Sequence, residues 1–477
     1  MDITLKDLLV KSSIKFGTSG ARGLVQDFTS EVSSSFVQAF WQSCGYANTV
    51  VIGHDLRPSS PEITRACVAF FRGIGVEVIY VGALPTPAIA FYAQLKKCPA
   101  VVVTGSHIPF DRNGLKFYSL LGEISKIDEA SILSQHLKMS GAIVLDDLPP
   151  ANKIAYEAYV KRYLDFFSDR PLVGKTIAIY QHSSVARDIL VEVLEGLGAE
   201  TIALGRTDDF TPVDTEAVTP HDTEIALEWA GEHKFDALIT TDGDGDRPLI
   251  ADENGCWLRG DNVGLLCAQA LGADVVVTPV SSNTGVDLCG DFLQVKRTKI
   301  GSPYVIKGID LLAEEFPGYA VMGYEANGGF ILGATLHSEL CKLEALKTRD
   351  AVLPIIVILR ESQRRSTKVS GLLNDLPQRF TASDRLITLN ASSITQLVLD
   401  GLRKDQNFLD LVESKTITIA SRDSTDGIRA IMSNGDILHV RPSGNAPELR
   451  IYAESSGPEN ARSMVNYALA SLASLLA

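Results

Sequence analysis

Apolar and polar positions along this chain switch between two periods, and the switching recurs in blocks. The run VVIGHDLRPSS passes from an apolar strand into a polar loop, ITRACVAFFRGIG has the spacing of an amphipathic helix, and VEVIYVG reads as a second strand. TIAIYQHSSVARDILVEVLEGLGAETIALG repeats that plan: strand, serine-bearing loop, helix, glycine break, strand. DVVVTPVSSNTGVDLCGDFLQVKRTKIG, from Asp274 to Gly301, is a third copy. Recurring βαβ units predict three tandem α/β domains with mixed sheets and ligand loops at the carboxyl ends of strands. The end of the chain differs. Strands around TITIASRDSTDGIRAIM and ILHVRPSGNAPELRIYAES precede an amphipathic helix from about Pro458, which predicts a smaller C-terminal α+β domain. The hydrophobic signal fades in RESQRRSTKVSG, Arg360 to Gly371, and the expected division is 1–150, 151–256, 257–370 and 371–477.

Between these elements lie loops that carry chemistry. In TTDGDGDRPLI, Asp242, Asp244 and Asp246 alternate with glycine after the buried strand FDALI. Two carboxylates about 4 Å apart repel by about 4 kcal/mol at an effective dielectric of about 20, so converging aspartates call for a cation. Oxygen ligands with no Cys or His beside them point to Mg²⁺ ahead of Ca²⁺ or Mn²⁺. An EF-hand is the competing reading, since Glu253 falls at its twelfth position. Against it, Arg247 stands where that loop needs glycine, and a strand leads in. AVVVTGSHIPFDRNGLKFYS breaks from a strand into TGSH, which presents Ser106 and His107. Ser106 could be a nucleophile, phosphate carrier or metal ligand, or simply a turn serine, and it lacks a hydrolase elbow. His107 taken alone reads as a structural hydrogen-bonder sooner than as a base, and Lys116 is close enough in sequence to reach the same cleft.

Three further loops are weaker signals. FGTSGARG, Phe16 to Gly23, could wrap an anion through its glycines with Thr18, Ser19 and Arg22. GYEANGGFIL places Glu325 and Asn327 in a glycine-rich turn suited to hydroxyl groups. RPSGNAPELR puts Arg441, Ser443, Gly444 and Asn445 on one loop with Arg450 beyond it, which reads as a phosphate clamp or as a polar strand connection. RGIGVE has too few glycines, at the wrong place, for a dinucleotide fingerprint.

Composition narrows the partners. The chain has 477 residues, 45% hydrophobic and 21% charged, with a formal net charge of −14. That length exceeds one core, and that charge argues against nucleic acid or an anionic membrane as partner. Seven cysteines without a CxxC pair fit a reducing cytosol. AVLPIIVIL, the longest apolar run, is too short to span a bilayer, and no leader precedes the first domain, so a soluble, cytoplasmic protein is expected.

Taken in order, these five loops resemble those of the α-D-phosphohexomutase family, from about Phe16 to Glu454. The family's T-A-S-H-N-P loop reads TGSHIP here, with Gly105 for alanine and Ile108 for asparagine; D-G-D-G-D-R is unchanged. Its sugar loop, G-E-x-S-G-H, reads YEANGG, so Glu325 is kept while Asn327 stands for serine and Gly329 for histidine. In its phosphate loop, R-x-S-G-T-x-P, Asn445 replaces threonine. The resemblance implies four domains around a central cleft and a phosphoryl group carried on Ser106. It also implies Mg²⁺ on Ser106, Asp242, Asp244 and Asp246, and a hexose 1,6-bisphosphate as activator and intermediate. It assigns Lys116 and Arg22 to the reacting hydroxyl, with Arg22 electrostatic because of its high pKa, and His107 and Arg247 to the catalytic group. Glu325 and Asn327 would bind the sugar, joined by Ser302 and Tyr304 on a loosely matched third-domain loop. Arg441, Ser443, Gly444, Asn445 and Arg450 would hold the phosphate that is not reacting. The expected substrate is a hexose phosphate, mannose before glucose or glucosamine, because the first loop reads GTSGARG rather than G-T-D-G-I-R-G. A phosphatase or a non-catalytic sugar-phosphate binder is the reading from other classes. The oligomeric state is not legible.

Overall fold

The computed structural model describes residues 3–476 apart from 18–19, 138–144, 339–340, 388–399, 414–415 and 443–447. Three of its sheets share one plan. In the first, Thr49–His54 lies between Glu77–Ala83 and Ala100–Val103, all parallel, and Arg112–Ser119 returns antiparallel to Ala100–Val103. In the second, Thr176–His182 lies between Glu200–Arg206 and Ala237–Thr241, and Pro248–Ala251 returns antiparallel. In the third, Val275–Pro279 lies between Gln294–Thr298 and Val321–Tyr324, and Phe330–Leu332 returns antiparallel. Each central strand opens one of the repeated sequence units, and helices cover both faces, which is why it is apolar throughout.

This plan positions the chemistry. Residues 104–111, 242–247 and 325–329 are the same connection in three copies, the hairpin that follows the third parallel strand. The loops singled out in the sequence thus project from carboxyl ends of strands, as expected for α/β sheets. Alanine-rich and tyrosine-bearing helices fuse the three sheets into one continuous core, in which Val102, Tyr163, Ile179, Ile239, Val276 and Ile356 are all buried.

Two stretches differ from the sequence pattern. The third repeat carries only a four-residue helix, Gly285–Leu288, because Gly290 follows with φ +77° and ends it. The polar stretch after Arg360 continues the helix Val352–Arg364, and beyond it Val369 and Leu372 are buried. The apolar run AVLPIIVIL is the start of that helix. Pro354 sits in its first turn, where a missing N–H costs nothing. Among the described residues no helix is long and apolar enough to cross a membrane.

The last sheet is wholly antiparallel, in the order Phe380–Ile387, Glu448–Ser455, Ile437–Pro442, Ile428–Met432, Ile419–Asp423. The helix Pro458–Leu476 covers one face through Ala461, Val465, Ala468 and Leu472, spaced for a single helical stripe. The architecture is therefore three α/β domains and a smaller α+β domain.

A buried carboxylate bolts the second domain's leading helix to the third sheet. Asp350, at the end of Leu346–Asp350, accepts hydrogen bonds from Tyr159 Oη at 2.8 Å and from Tyr163 Oη, both on the helix Ile154–Phe166. Its Oδ1 also caps the next helix at Val352 N, 2.9 Å. Asp350→Ala strands two buried hydroxyls and an N–H, and is expected to cost about 3 kcal/mol. Calorimetry should show the thermal midpoint falling by several degrees; an unchanged midpoint would contradict this role.

Candidate active site

The acidic loop is a hairpin wound around its first aspartate. Asp242 Oδ1 accepts the backbone N–H groups of Asp246 and Arg247, both at 3.2 Å. Gly245 takes φ +69°, and Gly243 passes so close to the serine loop that a Cβ there would lie 3.0 Å from Ser106 O. Asp242, Asp244 and Asp246 are all fully buried, with one oxygen of each within 4.8 Å of the others. Burial, then the charges of Asp244 and Asp246, pushes Asp242 well above the usual carboxylate range. Asp244 is held below its ordinary value despite burial, by Lys116 and by Thr86, whose hydroxyl donates at 2.5 Å. Burial opposes the downward shift of Asp246 as well, and Arg349 overcomes it.

These residues fit a hard divalent cation. Asp244 Oδ1 and Asp246 Oδ1 are buried carboxylate oxygens with no hydrogen-bond partner among the described residues. With Asp242 and the Ser106 hydroxyl they form an all-oxygen donor set on rigid backbone. The EF-hand alternative fails here. Strands flank the loop on both sides, and Glu253 turns away to accept from Ser370 Oγ at 2.6 Å.

Ser106 meets that set directly. Its hydroxyl, fully buried, donates to Asp242 Oδ2 at 2.6 Å and lies 3.3 Å from His107 Nδ1. Ser106 takes φ +55°, a left-handed conformation that is strained for serine and needs support. Thr104 Oγ1 supplies part of it by accepting the Ser106 N–H at 2.8 Å. Arg57 supplies the rest. Its guanidinium donates to the carbonyls of Ser106 at 2.8 Å, Pro109 at 2.8 Å, Arg112 at 2.9 Å and Ile108, while Asp55 balances its charge at 3.3 Å. The ring of Phe210 covers its other face, 4.1 Å away. Gly105 is the counterpart of this arrangement, since a Cβ there would lie 2.6 Å from Arg57 Cζ.

Cations close the site. Lys116 Nζ bridges Asp244 Oδ2 at 2.7 Å and Asp246 Oδ2 at 2.5 Å. Burial alone would lower the lysine, but these carboxylates hold it above its ordinary value, so it stays protonated. Arg247 Nε stands 3.9 Å from Asp242 Oδ2 and 3.7 Å from Asp246 Oδ1. Burial, then Arg247 and Arg349, brings Arg22 down to about 10, still charged at neutral pH. Both its terminal nitrogens are buried without a partner among the described residues. His107 is held well below its ordinary value by burial and by Arg247, and is therefore neutral.

The third hairpin brings Glu325 to the same place. Glu325 N donates to Gly329 O at 3.1 Å, and Asn327 Oδ1 accepts the Gly329 N–H at 2.9 Å, so Asn327 shapes the turn. Arg349 Nη1 donates to Glu325 Oε2 at 2.7 Å, and its Nη2 to Asp246 Oδ2 at 2.8 Å. Ser302 is fully buried at a helix start and donates to Glu123 Oε1 at 2.8 Å, which ties the first domain to the third. Lys299 Nζ lies 6.0 Å from the ring centre of Tyr304, which feels the charges of Asp426 and Arg441 at the boundary with the last sheet. There Asp426 accepts from Ile300 N at 3.0 Å and from Arg441 Nε at 3.1 Å. Arg441 and Arg450 are direct cross-strand neighbours, and the charge of Arg450 is felt at His107. Ser443, Gly444 and Asn445 lie outside the described residues, as do Thr18 and Ser19.

Arg57, Thr86 and Arg349 are the site residues that sequence reading missed. Arg57 had one signal, an arginine just past a strand end in HDLRPSS; the other two had none.

A buried serine hydroxyl against an acidic oxygen cluster, ringed by cations, is an arrangement suited to phosphoryl transfer. Comparison with known proteins gives the same class. Models for phosphoglucomutase/phosphomannomutase α/β/α domains I, II and III match residues 13–142, 156–255 and 259–380, and the C-terminal domain model matches 397–468. A phosphomannomutase of Salmonella muenchen is 45% identical over 473 residues, 98% of each chain. One from Sinorhizobium fredii is 39% identical over 96% of this chain and 98% of its own. The fold also matches the crystal structure of a phosphoglucomutase/phosphomannomutase family protein from Burkholderia thailandensis. The TM-score is 0.73 at 19% identity, covering 96% of this chain and 97% of that one. The chain belongs to the phosphoglucomutase/phosphomannomutase family, and it is a phosphohexomutase.

Asp244→Asn removes one charge from the oxygen cluster and should weaken Mg²⁺ or Mn²⁺ binding, titrated calorimetrically, by at least about tenfold, or about 1.4 kcal/mol. Unchanged affinity would place the metal elsewhere.

Proposed function

We propose that this phosphohexomutase interconverts mannose 1-phosphate and mannose 6-phosphate through a phosphoserine at Ser106 and a hexose 1,6-bisphosphate that turns over in the cleft. The observation that carries this reading is the Ser106 hydroxyl, buried and 2.6 Å from Asp242 Oδ2. Such a group has no access to bulk water, so its reaction partner must enter the cleft. Mannose is preferred over glucose or glucosamine because the two bacterial relatives with high identity over nearly the whole chain are phosphomannomutases.

The residues divide the work as their chemistry permits. Ser106, Asp242, Asp244 and Asp246 would hold Mg²⁺, which supplies charge neutralisation at the transferring phosphoryl group. In the forward step the bond from phosphorus to Ser106 Oγ breaks and one to the sugar hydroxyl forms; the hydroxyl proton must leave. Lys116, held protonated by Asp244 and Asp246, and Arg22, whose two terminal nitrogens have no hydrogen-bond partner among the described residues, receive the phosphoryl oxygens. Arg247 flanks them, and the neutral His107 imidazole, 3.3 Å from Ser106 Oγ, is the available proton acceptor. Glu325 accepts from sugar hydroxyls that mannose and glucose share, which is why its loop does not separate them. Arg441 and Arg450, with Ser443, Gly444 and Asn445, anchor the distal phosphate. A single distal anchor lets the sugar bind either way round.

A ³¹P NMR time course with mannose 1-phosphate, Mg²⁺ and a trace of mannose 1,6-bisphosphate should show the 6-phosphate appearing without inorganic phosphate. Release of inorganic phosphate instead would make the protein a phosphatase, and faster turnover of glucose 1-phosphate would reassign the sugar. Ser106→Ala should lower turnover by several orders of magnitude while calorimetric binding of mannose 1-phosphate persists. Turnover near that of the unaltered protein would remove the phosphoserine from the mechanism.

A further inference from the structure

Arg349 is among the largest fully buried side chains of the protein, and it comes from the strand Leu346–Asp350 at the edge of the third sheet. One end of its guanidinium holds Glu325 Oε2 at 2.7 Å, and the other holds Asp246 Oδ2 through Nη2 at 2.8 Å and Nε at 3.2 Å. A planar fork with five fixed donors can serve two carboxylates at once, which a lysine cannot do with the same geometry. The sugar loop is built to admit it. A Cβ on Gly329 would lie 2.5 Å from Arg349 Cδ and 2.8 Å from its Cγ. Gly329 is not among the residues with positive φ, so glycine is required there for space and not for backbone conformation. The related loop pattern, G-E-x-S-G-H, carries a histidine at this position.

We propose that Arg349 is the positioning residue of this site, holding the sugar-loop carboxylate Glu325 and the metal-loop carboxylate Asp246 on one guanidinium in the space that Gly329 leaves open. The assignment deepens the mutase reading and rests on it for the sugar. Its consequence is a link between two binding events. Arg349 competes with a divalent cation for the charge of Asp246, while it fixes Glu325 for sugar hydroxyls. Losing the guanidinium therefore acts in opposite directions on the two ligands. Simple loss of structure would weaken both together.

The test compares Gly329→Ala, Arg349→Ala and the double variant. Gly329→Ala should raise the KM for mannose 1-phosphate about tenfold with kcat within about threefold, because the guanidinium is pushed from its seat. Titrated with Mg²⁺ alone, Gly329→Ala and Arg349→Ala should both bind the ion about threefold or more tightly than the unaltered protein. In the Arg349→Ala background the added Gly329→Ala should change KM less than about twofold, since nothing remains to collide with. An equal cost of Gly329→Ala in both backgrounds would overturn the proposal, as would weaker Mg²⁺ binding in Gly329→Ala. If Arg349→Ala does not fold, Gly329→Ala leaves every charge in place and decides the matter alone: unchanged KM and unchanged Mg²⁺ affinity overturn the proposal. The Mg²⁺ titration contains no sugar, so an error in the assigned substrate would leave its outcome untouched.

Discussion

Mutual repulsion of three buried carboxylates is the constraint on which the rest of the structure depends. Asp242, Asp244 and Asp246 sit fully buried within 4.8 Å of one another, an arrangement that cannot stand without positive charge. The fold brings that charge from every direction. Lys116 comes from the first sheet, Arg247 from the loop itself and Arg349 from the third sheet. Even so, Asp242 is left raised and Oδ1 of Asp244 and of Asp246 has no hydrogen-bond partner among the described residues, so the compensation stops short of what the cluster demands. That remainder is what a divalent cation and a phosphoryl oxygen would share. Binding energy is thereby held in reserve for the reacting group, which is where catalysis needs it.

Repetition makes such convergence possible. Because the first three sheets follow one strand plan, each contributes the same hairpin, and the three copies converge to bring together Ser106, the three aspartates and Glu325. Apart from the shortened helix of the third copy, the copies differ chiefly in loop chemistry on a shared strand frame. Domain contacts then become part of the site: Thr86 of the first domain caps Asp244 of the second at 2.5 Å, and Ser302 of the third meets Glu123 of the first at 2.8 Å. Domain movement would alter the electrostatics of the aspartates as well as access to them.

How much of this was legible in the sequence follows a physical rule. Asp242, Asp244, Asp246 and Ser106 were readable because each lies in a short loop whose spacing is itself the signal. The three βαβ units were readable from periodicity, and the fold class followed. Arg57, Thr86 and Arg349 were not, because their partners lie 49, 158 and 103 residues away. A buried arginine in a strand has no local signature; only the tertiary structure shows what neutralises it. Gly105 and Gly329 looked like simple departures from a family pattern. They are spaces cut for Arg57 and Arg349, so each substitution has its cause in another segment of the chain. The helix expected in the third repeat shrank to one turn for a local reason, Gly290, which periodicity alone undervalued.

A phosphoryl group carried on Ser106 and exchanged with a sugar phosphate would leave a covalent record on the chain. It can be read by phosphopeptide mass spectrometry of the protein after exposure to mannose 1,6-bisphosphate and Mg²⁺, repeated after a chase with mannose 6-phosphate. The expected result is phosphate on Ser106 alone, discharged by the chase with formation of the bisphosphate. Phosphate on another residue, or a phosphoserine at position 106 that the sugar phosphate cannot discharge, would contradict it.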